Sequence, residues 1–338
     1  MIPKDKAILI LGSVNANPDD RKLKRTDISS IQFMDDKLQV HHTNLLSSWG
    51  EFGISSLVFL PGSNRNFFIT TGRSIFYIDT ENQSFEQLKI ERLRGIHEMN
   101  IIDQKLWISN TFYDEVLEYD YINKKTLNRH QLIPRQKIEP TEARLERDGF
   151  ERINKFHCNQ IFESFDKEIA LLVHHTNGVQ PVKVLAQKLI KSQGNGGIIY
   201  LRSNETIKLK LKAPHSIRLI KDQYWVFNSG HGELTIFNKD WSPSGTIKVN
   251  GWGRGADFIT DTNILFAGLS APRSRYFKFL DDAEKKNRIL AIDAGKRKIR
   301  KEWVLSKLEQ VNNLYLLDRE LIELLNEMNP ILEEQNVQ

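Results

Sequence analysis

Three histidines open segments that share one local order of residues. Ile96-His97-Glu98-Met99-Asn100 leads to Leu106-Trp107-Ile108-Ser109-Asn110, and Pro214-His215-Ser216-Ile217-Arg218 leads by the same ten-residue step to Trp225-Val226-Phe227-Asn228. Phe156-His157-Cys158-Asn159-Gln160 leads to Leu171-Leu172-Val173-His174-His175 after a longer connection, and a fourth segment carries Arg254 in the histidine's place with Asp257 three residues on. Three neutral imidazoles are a common ligand set for catalytic zinc and leave a fourth position for water or substrate. A metal held by His97, His157 and His215 would lower the pKa of bound water and polarise a carbonyl or phosphoryl oxygen. Without a metal, a histidine could act as general base while arginines clamp an anion. A structural reading stands beside both: repeated histidines also hydrogen-bond to neighbouring repeats or to channel waters.

The candidate catalytic set is therefore His97, His157, His215, Arg254 and Asp257. Asn100 and Arg218 stand three residues after their histidines and are expected to line a neighbouring level, although an offset of three keeps the same strand face only if a bulge intervenes. Asn110, His175 and Asn228 occupy equivalent places near the end of the second strand. His175 is preferred to His174, because alternation sends adjacent strand residues to opposite faces. Arg273 and Arg275 could reach a carboxylate, sulfate or phosphate from a loop. Cys158 reads as a buried structural thiol, His231 as a turn residue, and Trp107 and Trp225 as packing between repeats. No Gly-rich phosphate loop occurs, so no nucleotide cofactor is expected.

Short apolar runs separated by Gly, Asn and Asp turns must hold these residues in place. Four such runs per unit recur from Gly53 to about Leu305, in units of roughly 40 to 60 residues, and strands do not alternate with helices. That pattern indicates an all-β, six-bladed β-propeller, with seven blades as the alternative. Strands before Trp49 supply a sixth blade that mixes both ends of the chain. Two charged or polar insertions, residues 133–154 and 179–197, interrupt the pattern. Residues 1–317 form one propeller domain. Residues 318–338 form an amphipathic helix and tail, with Leu321, Ile322, Leu324, Leu325 and Met328 on one stripe that could dock a protein partner.

The 338 residues carry a net charge of only +5 among 91 charged side chains, so no nucleic-acid surface is expected. One cysteine, and no run of about 20 apolar residues, point to a cytoplasmic protein without a membrane span.

The motifs Leu106-Trp107-Ile108-Ser109-Asn110-Thr111, Pro214-His215-Ser216-Ile217-Arg218-Leu219, Ser229-Gly230-His231-Gly232-Glu233-Leu234 and Arg254-Gly255-Ala256-Asp257-Phe258 resemble an uncharacterised bacterial propeller family, a domain of unknown function. The resemblance spans residues 95–275 and implies six blades but no assigned reaction. A histidine-rich channel is also similar, at the level of fold, to that of metal-dependent propeller lyases. The acid and asparagine set of calcium-binding lactonase-type propellers has no counterpart here. The resulting expectation is a lyase or hydrolase acting on an anionic small molecule or saccharide, or a propeller that binds a metabolite, saccharide or protein without catalysis.

Overall fold

The computed structural model describes residues 1–15, 27–49, 53–132, 154–178, 194–271 and 284–336. The chain begins with β1 (Lys6–Asn15), β2 (Asp27–Met34) and β3 (Val40–Thr43). Five four-stranded antiparallel meanders follow. The first is β4 (Ser56–Phe59), β5 (Asn66–Thr70), β6 (Ile75–Asp79) and β7 (Ser84–Gln87), and the second is β8 (Ile96–Ile102), β9 (Lys105–Asn110), β10 (Glu115–Asp120) and β11 (Lys125–Gln131). The third is β12 (Cys158–Glu163), β13 (Ile169–Val173), β14 (Gly196–Tyr200) and β15 (Thr206–Leu211). The fourth is β16 (Pro214–Ile220), β17 (Gln223–Asn228), β18 (Glu233–Asn238) and β19 (Pro243–Lys248), and the fifth is β20 (Trp252–Ile259), β21 (Ile264–Ser270), β22 (Arg288–Asp293) and β23 (Lys298–Val304). Finally β24 (Gln310–Asp318) pairs with β1, giving the sheet order β24-β1-β2-β3. The molecule is a six-bladed β-propeller whose last blade takes its inner strand from one end of the chain and the other three from the other.

Each blade is apolar on both faces and must be sandwiched to stay dry, which only a closed ring provides for all six. Trp225, Phe227, Leu265 and Leu290, for example, pack in one cluster between the fourth and fifth blades. Trp107 and Trp225 are both buried in such seams.

Side chains of the inner strands stitch each blade to the next. Asn100 Nδ2 donates to the Ile161 carbonyl (3.4 Å), Gln160 Oε1 accepts from the Ile217 amide (2.5 Å), and Arg218 Nε donates to the Ala256 carbonyl (2.5 Å). Asp257 Oδ2 accepts from the Leu316 amide (2.7 Å), the Tyr315 hydroxyl accepts from the Leu57 amide (2.9 Å), and Ser56 Oγ accepts from the Met99 amide (3.2 Å). These bonds form a closed belt around the channel. They satisfy inner-strand backbone groups that have no strand on that side to pair with.

The helix α1 (Arg319–Asn336) lays Leu321, Ile322, Leu325, Met328 and Leu332 onto Leu45, Leu46 and Trp49 of the closing blade. Asn329 Oδ1 accepts from the Leu46 amide at 2.8 Å and fixes the register. The apolar stripe is thus covered by the chain itself.

Gly255 has φ +66°, and a Cβ there would run into the backbone of Asn313 and Leu314. Backbone strain and a clash with atoms that cannot rotate away act together, so Gly255→Ala is expected to cost about 3 kcal/mol or more. Chemical denaturation of the purified variant measures this; a loss below about 1 kcal/mol would contradict the close packing of β20 on β24.

Candidate functional site

Inner strands bulge at one common level. In the pairing of β8 with β9, His97 and Glu98 together face Ser109, whose hydroxyl accepts from both amides (3.3 and 2.9 Å). Register shifts of the same kind occur at Asn159 in β12, Ser216 in β16, Arg254 and Gly255 in β20, and opposite Asn312 in β24. A bulge adds a residue without a partner and turns side chains off the strict alternation. In these five blades it aims a polar residue at the axis, whereas β4 pairs with β5 without a shift. His97, Glu98, Asn159, His215, Ser216, Arg254, Asn312 and Asn313 consequently line one cavity, of about 30 Å3, at the end where the inner strands begin. It has room for about one or two water molecules.

His157 arrives differently. It precedes β12, with φ +53°, a conformation uncommon outside glycine. Asp114 holds it there: its buried carboxylate accepts from the amides of Lys155 (2.5 Å), Phe156 (3.0 Å) and His157 (3.2 Å). Asp114 itself closes a 3-10 turn (Thr111–Tyr113) in the left-handed region, where the matching turn of the fourth blade has Gly232. Burial pushes the Asp114 carboxyl up to about 6, against the pull of the three amides.

The imidazoles form a row. His97 Nε2 and His157 Nε2 lie 3.2 Å apart, His174 packs against His157 at a centroid distance of 4.2 Å, and His215 packs against His174 at 5.0 Å. Asn154 Nδ2 is 2.6 Å from His157 Nδ1, while its Oδ1 is buried without a hydrogen-bond partner among the described residues. Exchanging the two ends of that amide places the oxygen on a protonated Nδ1 and leaves His157 Nε2 as acceptor for His97. His215 turns Nδ1 toward the Ala213 carbonyl (3.0 Å) and Ser229 Oγ (3.2 Å), so its Nε2 carries the lone pair. Among the described residues His174 Nε2 is buried with no hydrogen-bond partner. Burial, reinforced by neighbouring imidazoles, pushes His174 well below the usual histidine range; burial and then Arg254 do the same to His215. Among the described residues no group of three His, Cys, Asp or Glu side chains is arranged to hold a metal ion.

Glu98 separates this narrow end from a wider mouth. Burial pushes its carboxyl up to about 7, with Arg218 pulling the other way from 3.7 Å. Gln160 Nε2 donates to Glu98 Oε1 at 2.9 Å. Beyond it, Asn100, Arg218, Asp257, Tyr315 and a rim of apolar side chains enclose about 400 Å3. Asp257 also accepts from the Phe258 amide (2.8 Å), and burial raises its pKa.

The structure therefore gathers His97, His215 and Arg254 at the narrow end with His157 beside them, and puts Asn100, Arg218 and Asp257 at the wide end. Asn110 and Asn228 line neither cavity. Each uses its side-chain oxygen to accept the amide of the residue sixteen positions earlier, Arg94 or Lys212, at 2.7 Å, which anchors the entry to an inner strand. His174, rather than His175, joins the row, because β13 ends at Val173 and strict alternation ends with it. His175 pairs with Asn195 in an isolated bridge, and burial pushes it down to about 4. Cys158 is buried and its thiol is pushed far up by burial; His231 sits in the turn Ser229–His231. Arg273, Arg275 and most of both insertions lie outside the described residues.

Glu98 and Tyr315 went unrecognised in the sequence. A glutamate next to His97 on a regular strand would face away from it, so only the bulge reveals Glu98. Tyr315 belongs to β24, which lies beyond the last repeat of the pattern.

Residues 188–317 fit the model of a family described as Domain of unknown function (DUF4915). The DUF4915 match includes His215, Arg218, Arg254 and Asp257 and excludes His97, Glu98 and His157. No curated protein matches the sequence. Among solved structures, the chain is similar to one in the crystal structure of a nidogen/laminin complex, with a TM-score of 0.59 and 9% identity over 92% of this chain and 98% of the other. It is also similar to a protein of unknown function from Bacteroides caccae, with a TM-score of 0.52 and 10% identity over 93% of this chain and 99% of the other. At such identities the likeness is one of fold. Among the described residues no helix is long and apolar enough to cross a membrane.

Proposed function

We propose that the narrow end of the channel carries the reacting groups of a centre of lyase or hydrolase type, whose small cavity would hold an attacking water while an anionic small molecule or saccharide lies against it from outside. The observation that carries this reading is the approach of His97 Nε2 to His157 Nε2, 3.2 Å, beside a cavity that Glu98 and Arg254 share. A carboxyl titrating near 7 can give or take a proton at neutral pH, which a general acid or base requires. Arg254 would neutralise an anionic group, and the His97–His157 pair would take a proton from water or substrate.

Zinc suits these imidazole donors. His97 and His157 would hold it through Nε2, with His215 as the third ligand expected from the repeats, and the orphaned Nε2 of His174 is a further buried donor. When bound, the metal would supply Lewis-acid polarisation and a more acidic water. His215 Nδ1 on the Ala213 carbonyl has the outer-shell partner that metal-bound histidines usually show.

A second reading, a propeller that binds a metabolite, saccharide or protein without catalysis, draws support from the belt formed by Asn100, Gln160, Arg218 and Asp257, which gives these polar side chains a structural task. Metal analysis of protein purified without a histidine tag separates the two. The proposal expects about one equivalent of zinc or another divalent ion, lost in a His97→Ala/His157→Ala variant that still folds. No metal at any pH from 6 to 8, together with unchanged stability in the variant, would favour the binding module.

A further inference from the structure

We propose that the wide mouth of the channel is a separate binding site for a small monocarboxylate with an apolar body. The inference does not depend on chemistry at the histidine end. The mouth encloses about 400 Å3, within the range of small-molecule pockets, and all its lining residues belong to inner strands. Its wall is apolar, with Val58, Ile101, Phe162 and Leu219 among the lining residues, and Leu219 is 39% exposed. Its floor is polar and holds one guanidinium, that of Arg218.

Three of the five N–H bonds of Arg218 are committed, to the Ala256 and Ile217 carbonyls and to Asn313 Oδ1. Among the described residues one N–H of each terminal nitrogen has no hydrogen-bond acceptor, which suits a carboxylate better than an alcohol. Glu163 at the rim is already paired with Lys167 at 3.0 Å. An apolar tail along the wall and a carboxylate on Arg218 would use both parts of the mouth.

Glu98 Oε1 lies 3.7 Å from Nη1 of Arg218, so an incoming carboxylate would share the guanidinium with Glu98 at the floor of the mouth, which Asp257 on β20 and Tyr315 on β24 also border.

Titration calorimetry with octanoate, octanol and octylammonium on the untagged full-length protein tests the site. Saturable octanoate binding, at least about tenfold weaker for octanol and absent for octylammonium, is expected. Leu219→Glu, on an exposed rim position, should weaken octanoate binding at least about tenfold without lowering the melting temperature of the free protein. Arg218→Gln should abolish it. The proposal is overturned if octanoate gives no saturable heat at millimolar concentration, if octylammonium binds equally well, or if Leu219→Glu leaves octanoate affinity unaltered. Absence of bound metal in the wild-type protein, with retained octanoate binding, would tell against the reactive centre alone.

Discussion

Asp114→Ala is expected to lower the unfolding free energy by about 3–5 kcal/mol, because three backbone amides lose one buried ionisable acceptor at once. Those amides, of Lys155, Phe156 and His157, form the segment that delivers His157 to the channel. The damage should therefore be both global and local: reduced stability by denaturant titration, and altered imidazole signals for His157 in the surviving folded protein. Alanine also fits poorly at φ 49°. Asp114→Gly separates these causes, since it relieves the backbone while still removing the acceptor. Asp114→Asn keeps one oxygen and tolerates the left-handed region, so it should recover part of the loss. Wild-type stability in Asp114→Ala would mean that residues 155–157 are held by something else.

Glu98→Gln is expected to change how stability depends on pH. In the folded chain Glu98 keeps its proton up to about 7, against 4.5 when unperturbed, so folding takes up a proton between those limits. Stability from this group is present at low pH and is lost as pH rises from about 4.5 to 7, by up to about 3 kcal/mol. Glutamine cannot ionise and escapes the loss. The difference in unfolding free energy, variant minus wild type, should grow by about 3 kcal/mol between pH 4.5 and pH 8. Neutral His174 and His215 act in the opposite direction, since their contribution is present above about 6.5 and is lost as pH falls. They are common to both proteins and largely cancel in the difference. A difference that stays flat across this range would show that Glu98 is ionised at little cost, through Arg218 or through water.

The propeller was legible because its signal is repeated: four short apolar runs per unit, five times over, with strands left at the beginning of the chain to complete a sixth. The closing strand β24 was harder to see, since Gln310–Asp318 follows the last full unit and has no partners within it. The site was legible in outline and not in detail. His97, His215 and Arg254 do converge, because equivalent positions on inner strands face one axis. His157 meets them from a turn rather than from β12, and the residue in register with the other bulges is Asn159. Bulges break the two-residue period, so no counting along the chain could have shown that Glu98 shares the cavity with His97 or that His174 replaces His175. Asn110 and Asn228 recur for a reason that sequence equivalence cannot distinguish from function: each anchors the entry to its blade. Asn100, Arg218 and Asp257 combine both roles, bonding to the next blade while bordering the wide mouth.

Imidazole nitrogen resonances of uniformly labelled, untagged protein, recorded with and without one equivalent of zinc, test the histidine centre most directly. The account predicts that His97 and His157 respond together: His97→Ala shifts His157 Nε2 in the metal-free protein, and zinc moves both resonances at a one-to-one ratio. Resonances that ignore both the substitution and the metal would contradict it.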